Sequence, residues 1–353
     1  MEDQAEKLRE IMKQKPAAPL PALEIRSLNP NKSGVQQLAS QRPGSTRSSG
    51  TSGRSRKPRA QAEVSGINQN ASSSEAVQLP KIKSKSRIIA VTSGKGGVWK
   101  TNVSVNLALA YARLGKKVVV MDADLGLANV NVILRMTPRY NLYHVIRRQK
   151  TMQEIIAETD YGISIVAGAS GFSKIANLSE DERHYFIKEL DTLSTADIII
   201  IDTSAGVSSN VLDFIAAAND ALIITTPEPT AITDAYGIIK IIATEYDDLD
   251  LGLKLIVNRV HSAADARKVA DRMISITGQF LNLKVDYLGF IYEDPVVSQA
   301  VLRQKPFMSL DPKSKASVCI QHIMGKLEKS EYRQSKGFTS MIKRLFGREK
   351  QSV

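Results

Sequence analysis

Ser93-Gly94-Lys95-Gly96-Gly97-Val98-Trp99-Lys100-Thr101-Asn102 lies between an apolar run, Ile88-Ile89-Ala90-Val91, and a long apolar-periodic segment from Val103 to Leu114. An apolar strand, a glycine-rich turn and a helix, in that order, form the setting in which a chain cradles phosphate. Backbone N–H groups of such a turn converge on phosphate oxygens. The helix behind it presents the positive end of its dipole to the same charge. In that setting Lys100 reaches the β- and γ-phosphates of a nucleotide, and the Thr101 hydroxyl holds Mg²⁺. Gly94, Lys95, Gly96, Gly97, Val98, Trp99, Lys100, Thr101 and Asn102 are therefore the expected lining of a nucleotide site.

One residue breaks the pattern. Against G-x-x-x-x-G-K-[ST], Gly94, Lys100 and Thr101 match, but Trp99 stands at the second glycine. That glycine supplies a backbone of positive φ, which bulky residues rarely adopt, and it lets the chain approach its ligand closely. An indole there either swings clear of the phosphates or fills part of their pocket.

The second lysine, Lys95, completes K-G-G-x-x-K-T. On these residues the chain resembles the MinD/ParA group of P-loop ATPases, whose deviant Walker A loop reads K-G-G-V-G-K-T. The resemblance covers residues 87 to 325 and implies an ATP- and Mg²⁺-dependent homodimer in which Lys95 reaches the partner's phosphates. Val118-Val119-Val120-Met121-Asp122-Ala123-Asp124 reads as a buried strand ending in carboxylates, and parallel sheets present such ends beside the phosphate loop. It continues into Leu125-Gly126-Leu127-Ala128-Asn129, close to the group's D-A-D-L-G-L-A-N, where the equivalent of Asp124 positions the attacking water. Beyond it, Arg135 stands where relatives usually carry glycine and Asn131 where they carry aspartate. Ile198-Ile199-Ile200-Ile201-Asp202-Thr203-Ser204-Ala205-Gly206 resembles the Walker B element and delivers Asp202 to the metal's outer shell, with water between. Gly206 is expected to free a switch loop. Lys95, Lys100, Asp124 and Asp202 are thus the expected catalytic residues, with Thr101 and Asp202 serving Mg²⁺.

Pro227-Glu228-Pro229-Thr230-Ala231-Ile232-Thr233-Asp234-Ala235-Tyr236 is characteristic of the same group and is expected at the dimer face. Asn258 ends the run Lys254-Leu255-Ile256-Val257 and resembles the asparagine that bonds the adenine amino edge; a turn residue is the alternative. Glu293 or Asp294, after the last apolar run, is expected to close over the base.

The chain's 353 residues suffice for one large α/β domain with extensions. A single cysteine, Cys319, excludes a disulfide framework and fits a reducing compartment. The acidic start and the lack of a long apolar run point to a cytoplasmic protein. Residues 1–86 carry 15 Lys/Arg against 7 Asp/Glu, residues 326–353 carry 8 against 3, and the middle carries 25 against 26. Basicity therefore belongs to the ends, which suits polyanionic partners or simply solvated tails.

Asp3 to Gln14 reads as a short amphipathic helix, capped by Asp3 and lined by Ala5, Leu8, Ile11 and Met12, with Pro16 as its stop. A helix this short is marginal alone in water and is expected to order on a partner. Asp3-Gln4-Ala5-Glu6-Lys7-Leu8-Arg9 matches D-Q-A-x-x-L-R. That motif opens the FlhG (YlxH/FleN) family of flagellar-number regulators within the MinD group. The resemblance implies docking on an FlhF-type GTPase, with Gln4 nearest the chemistry, Asp3 and Arg9 fixing the helix, and Leu8 on its apolar face. Residues 16–85, rich in Ser, Gly, Pro, Gln, Arg and Lys, read as a disordered basic linker. At the other end Phe338, Met341, Ile342, Leu345 and Phe346 share one helical face, flanked by Lys343, Arg344 and Arg348. This describes a helix for an anionic membrane interface.

The expected organisation is a partner-activating helix (1–15), a linker (16–85), an ATPase domain (86–330) and a membrane helix (337–348). The domain should be a three-layer α/β fold whose mostly parallel sheet has about seven strands. The implied function is reversible recruitment to the inner face of the cell membrane and regulation of flagellar assembly, through flagellar basal-body or regulatory proteins. No sequence-specific nucleic acid is expected. The rival readings are a scaffold that has lost turnover through Trp99 and a partition- or division-site protein.

Overall fold

The computed structural model describes residues 86–124, 129–168, 180–245 and 251–331. The N-terminal helix, the basic linker, the C-terminal stripe and Leu125 to Ala128 lie outside the described residues.

Eight strands form one sheet: β1 (Arg87–Ser93), β2 (Val118–Ala123), β3 (Ala157–Glu158), β4 (Ser164–Val166), β5 (Ile198–Ala205), β6 (Asp220–Thr225), β7 (Gly252–Val260) and β8 (Asp286–Tyr292). Their order is β3-β4-β2-β5-β1-β6-β7-β8. Every pairing is parallel except that of β3 with β4. Strands β1, β2, β5, β7 and β8 carry the apolar runs read in the sequence. Runs such as Ile198 to Ile201 lack alternation because parallel strands are covered on both faces, and all four isoleucines are buried. The eighth strand, the two-residue ribbon Ala157–Glu158, has no apolar run to announce it.

Strand β1 is central, between β5 and β6, so the turn after it opens at the middle of the sheet's carboxyl edge. Helix α1 (Lys100–Ala112) follows that turn and is buried along almost its whole length, its polar Asn102, Ser104 and Asn106 included. Its Asn106 Oδ1 accepts from the Met308 N–H at 2.8 Å, tying α1 to a much later segment. The short helices α2 (Val130–Ile133), α3 (Leu142–Ile146) and α4 (Met152–Ile155) follow β2. Arg135, just beyond α2, has φ 52°, a backbone that favours the glycine expected there.

Helices α5 (Glu180–Asp191), α6 (Ser209–Ala217), α7 (Pro229–Glu245), α8 (Ala263–Leu281), α9 (Pro295–Leu302), α10 (Phe307–Leu310) and α11 (Lys315–Lys329) complete the three-layer fold. At the opposite edge, buried Arg87 donates to Asp220 Oδ2 at 2.8 Å and to the Leu327 carbonyl at 2.6 Å. That side chain fastens the end of α11 to the start of β1 and β6, and its charge is paired, as burial demands.

Candidate nucleotide site

The turn between β1 and α1 forms one wall of a cleft of about 420 Å³, within the range of small-molecule sites. Lys95, Gly96, Gly97, Val98, Trp99, Lys100, Thr101 and Asn102 line it, joined by Asp124, Asn129, Val132 and Val301. Gly97 has φ 77°, and a Cβ added at Gly96 or Gly97 would meet open space. Gly94 is required for a different reason. A Cβ there would collide with the backbone carbonyl of Asp234 in α7, so this glycine lets the loop lie against that helix.

Trp99 occupies the position expected of it, with φ 64° and ψ 30°, and its carbonyl accepts the first hydrogen bond of α1, from Val103 N–H at 3.0 Å. The half-buried indole packs against the core, with the Arg259 guanidinium 5.3 Å from its centroid. Arg259 also has positive φ, 56°. Its Nε donates to Glu293 Oε2 at 2.7 Å, and a nitrogen lies 3.8 Å from Glu228 Oε1. The Lys95 ammonium donates to Glu228 Oε2 at 2.6 Å and to Thr230 Oγ1 at 3.0 Å, and this contact holds the Glu228 carboxyl below its ordinary range. The lysine expected to cross to a second chain is thus held within its own.

Behind the cleft wall lies a buried carboxylate pair. Asp122 and Asp202 are partners across β2 and β5. Asp122 accepts the backbone N–H groups of Asp124, Asn129 and Val130 at 2.9–3.1 Å. Burial, and next the Asp202 charge, still push its pKa up to about 7. Asp202 is fully buried; its Oδ1 accepts from Lys100 Nζ at 3.2 Å and from Ser104 Oγ at 2.8 Å. Its Oδ2 has no hydrogen-bond partner among the described residues. Ser104, one helical turn after Lys100, carries no motif signal, and only its place in α1 brings it here.

Asn258 is buried inside β7, which excludes the turn-residue alternative, and its Nδ2 donates to the Val98 carbonyl at 2.7 Å. Its Oδ1 is buried without a hydrogen-bond partner. Asp294 departs from expectation. Its two carboxylate oxygens accept the backbone N–H groups of Val296 (3.0 Å) and Ala316 (3.1 Å), capping α9 and clamping the start of α11. A carboxylate so committed is a structural cap, not a contact for a base. Glu293 is engaged with Arg259. The open glycine face, the cationic Lys100 and the free oxygen of Asp202 suit a phosphate with its Mg²⁺, and the free acceptor of Asn258 suits an amino edge.

A family model described as an AAA domain matches residues 86–255. The antiactivator FleN of Pseudomonas aeruginosa is 37% identical over 69% of this chain and 86% of its own length. The flagellum site-determining protein YlxH of Helicobacter pylori is 36% identical over 74% and 90%. The chain belongs to the FlhG (FleN/YlxH) family of MinD-type P-loop ATPases. Among solved structures, the septum site-determining protein MinD of Pyrococcus horikoshii, complexed with Mg-ADP, has a TM-score of 0.57 at 26% identity, covering 69% of this chain and 96% of that one. Within this FlhG chain, no helix of the described residues is long and apolar enough to cross a membrane.

Proposed function

We propose that this FlhG-family chain is an ATP-dependent regulator of flagellar number or placement. The observation that carries the reading is the convergence of Lys100, Thr101 and Asp124 on one glycine-walled cleft, with the half-satisfied, buried Asp202 joined to it from behind through Lys100. The flagellum site-determining protein YlxH, similar along the domain, supplies the flagellar context. Lys100 would exchange Asp202 for the β- and γ-phosphates, while Ser104 keeps Asp202 Oδ1 in place. Thr101, and Asp202 through water, would hold Mg²⁺, which when bound neutralises phosphate charge. Asp124 would orient the attacking water. Lys95 would leave Glu228 for a second chain, making the dimer dependent on ATP. Turnover is expected to be slow, because Trp99 crowds a loop in which small misplacements cost about a hundredfold in rate.

The N-terminal D-Q-A-x-x-L-R would stimulate an FlhF-type GTPase, and the 338–346 stripe would bind an anionic membrane. Both belong to this proposal on sequence grounds. The test is the mass of the full-length Asp124→Ala chain by light scattering. A shift from monomer to dimer on adding Mg²⁺ and ATP, absent with ADP, is expected. An unchanged mass with either nucleotide contradicts the reading. A flagellar role is tested in cells by deletion, where unaltered flagellar number and placement would count against it.

A further inference from the structure

Two adjacent pairs of residues fasten the phosphate loop to the end of β7. Asn258 holds the Val98 carbonyl at 2.7 Å, and one residue on along each segment Arg259 lies over the Trp99 indole. Both Trp99 and Arg259 adopt left-handed backbones, with φ 64° and 56°, which L-residues other than glycine rarely adopt. Such strain persists only where the surroundings fix it. For Arg259 the fixing groups are Glu293 at 2.7 Å and, beyond it, Glu228 at 3.8 Å. The guanidinium is therefore oriented before it meets the ring, and its side chain is about one third exposed.

We propose that Arg259 is a positioning residue for the phosphate loop: it parks the Trp99 indole against β7 and so keeps the phosphate pocket open. This rests on the reading that the cleft binds a nucleoside triphosphate. A glycine at position 99 would need no such partner; a tryptophan does, because an unrestrained indole on a cleft-lining loop sweeps the volume that a phosphate requires. The cation–π contact supplies the restraint, and the ion pair to Glu293 fixes where it acts. Arg259 thus compensates locally for Trp99, and its value to binding should depend on Trp99 being present.

The test is a double-mutant cycle on the full-length chain with Trp99→Gly, Arg259→Ala and both together. Affinity for a fluorescent ATP analogue is measured with Mg²⁺, and thermal melts verify folding. Arg259→Ala should weaken binding about threefold to tenfold in the Trp99 chain, the range open to a partly desolvated cation–π contact. It should leave the Trp99→Gly chain nearly unchanged. Arg259→Lys, which keeps a cation, should recover part of the loss. Trp99 is the only tryptophan in the chain, so its emission reports the ring without any ligand. Arg259→Ala should shift that emission to the red and raise its quenching by acrylamide. Unchanged emission overturns the proposal. So does an equal affinity loss in both backgrounds, which would mean that Arg259 touches the nucleotide itself. A wild-type chain that binds no nucleotide overturns the functional reading and this proposal together, whereas binding without coupling overturns this proposal only.

Discussion

Replacing Ser104 with alanine probes the buried carboxylate directly. The serine's one hydroxyl proton faces two acceptors, Asp202 Oδ1 at 2.8 Å and the Lys100 carbonyl at 3.2 Å, and it goes to the shorter, charged one. A hydrogen bond to a charged group contributes about 1.5–3 kcal/mol. The better helix propensity of alanine returns about 0.5 kcal/mol at most. Little relaxation is available, because Ser104 and Asp202 are both fully buried and Oδ2 already has no hydrogen-bond partner among the described residues. A net loss of about 1–2.5 kcal/mol follows, which for a domain of this size lowers Tm by roughly 2–10 °C. The assay is paired thermal melts of wild type, Ser104→Ala and Ser104→Thr without nucleotide. Thr keeps the hydroxyl and should fall less. A Ser104→Ala midpoint within about 1 °C of wild type would refute the assignment, since a change that small is what a surface site gives.

Gly94→Ala should destabilise the fold by at least the roughly 1–3 kcal/mol of an overpacked core, since its Cβ meets Asp234 backbone, while Gly96→Ala, with open space around it, should melt like wild type. Equal melting of the two variants would contradict the contact. Asp122 titrates near 7 in the folded chain against a reference of 3.8, so folding takes up a proton between those values. Its contribution to stability is therefore present below about pH 4 and lost as pH rises through 7. Melts from pH 5.5 to 8 should fall more steeply for the nucleotide-free wild type than for Asp122→Asn, and parallel curves would refute this. Full-length chain should co-sediment with anionic vesicles, and Phe346→Glu should weaken that by placing a charge on the apolar face; identical sedimentation would remove the membrane role.

The sheet was legible because parallel strands buried on both faces leave unbroken apolar runs, and the motif residues sit at the ends of those runs. Trp99 was legible as a left-handed position because the loop pattern demands glycine there. The same logic explains Arg135. What pattern could not supply was partnership across the sheet. Arg259 lies over Trp99, Glu228 holds Lys95, and Ser104 reaches Asp202 only because the strand order brings β5, β6 and β7 around β1. Asp294 was misread for a related reason. A carboxylate at the end of an apolar strand suits either a ligand contact or a helix cap, and Pro295 at the start of α9 is the local sign of the cap.

Whether this loop takes up a nucleotide with tryptophan in place of its second glycine is tested by direct titration. Full-length wild-type chain is titrated with a mant-labelled ATP and Mg²⁺ while energy transfer from Trp99 to the label is followed. A saturable signal is expected, because Trp99 lines the cleft, together with its reversal by unlabelled ATP. No saturable transfer up to concentrations on the order of 1 mM, the upper end of ordinary substrate constants, would contradict nucleotide uptake.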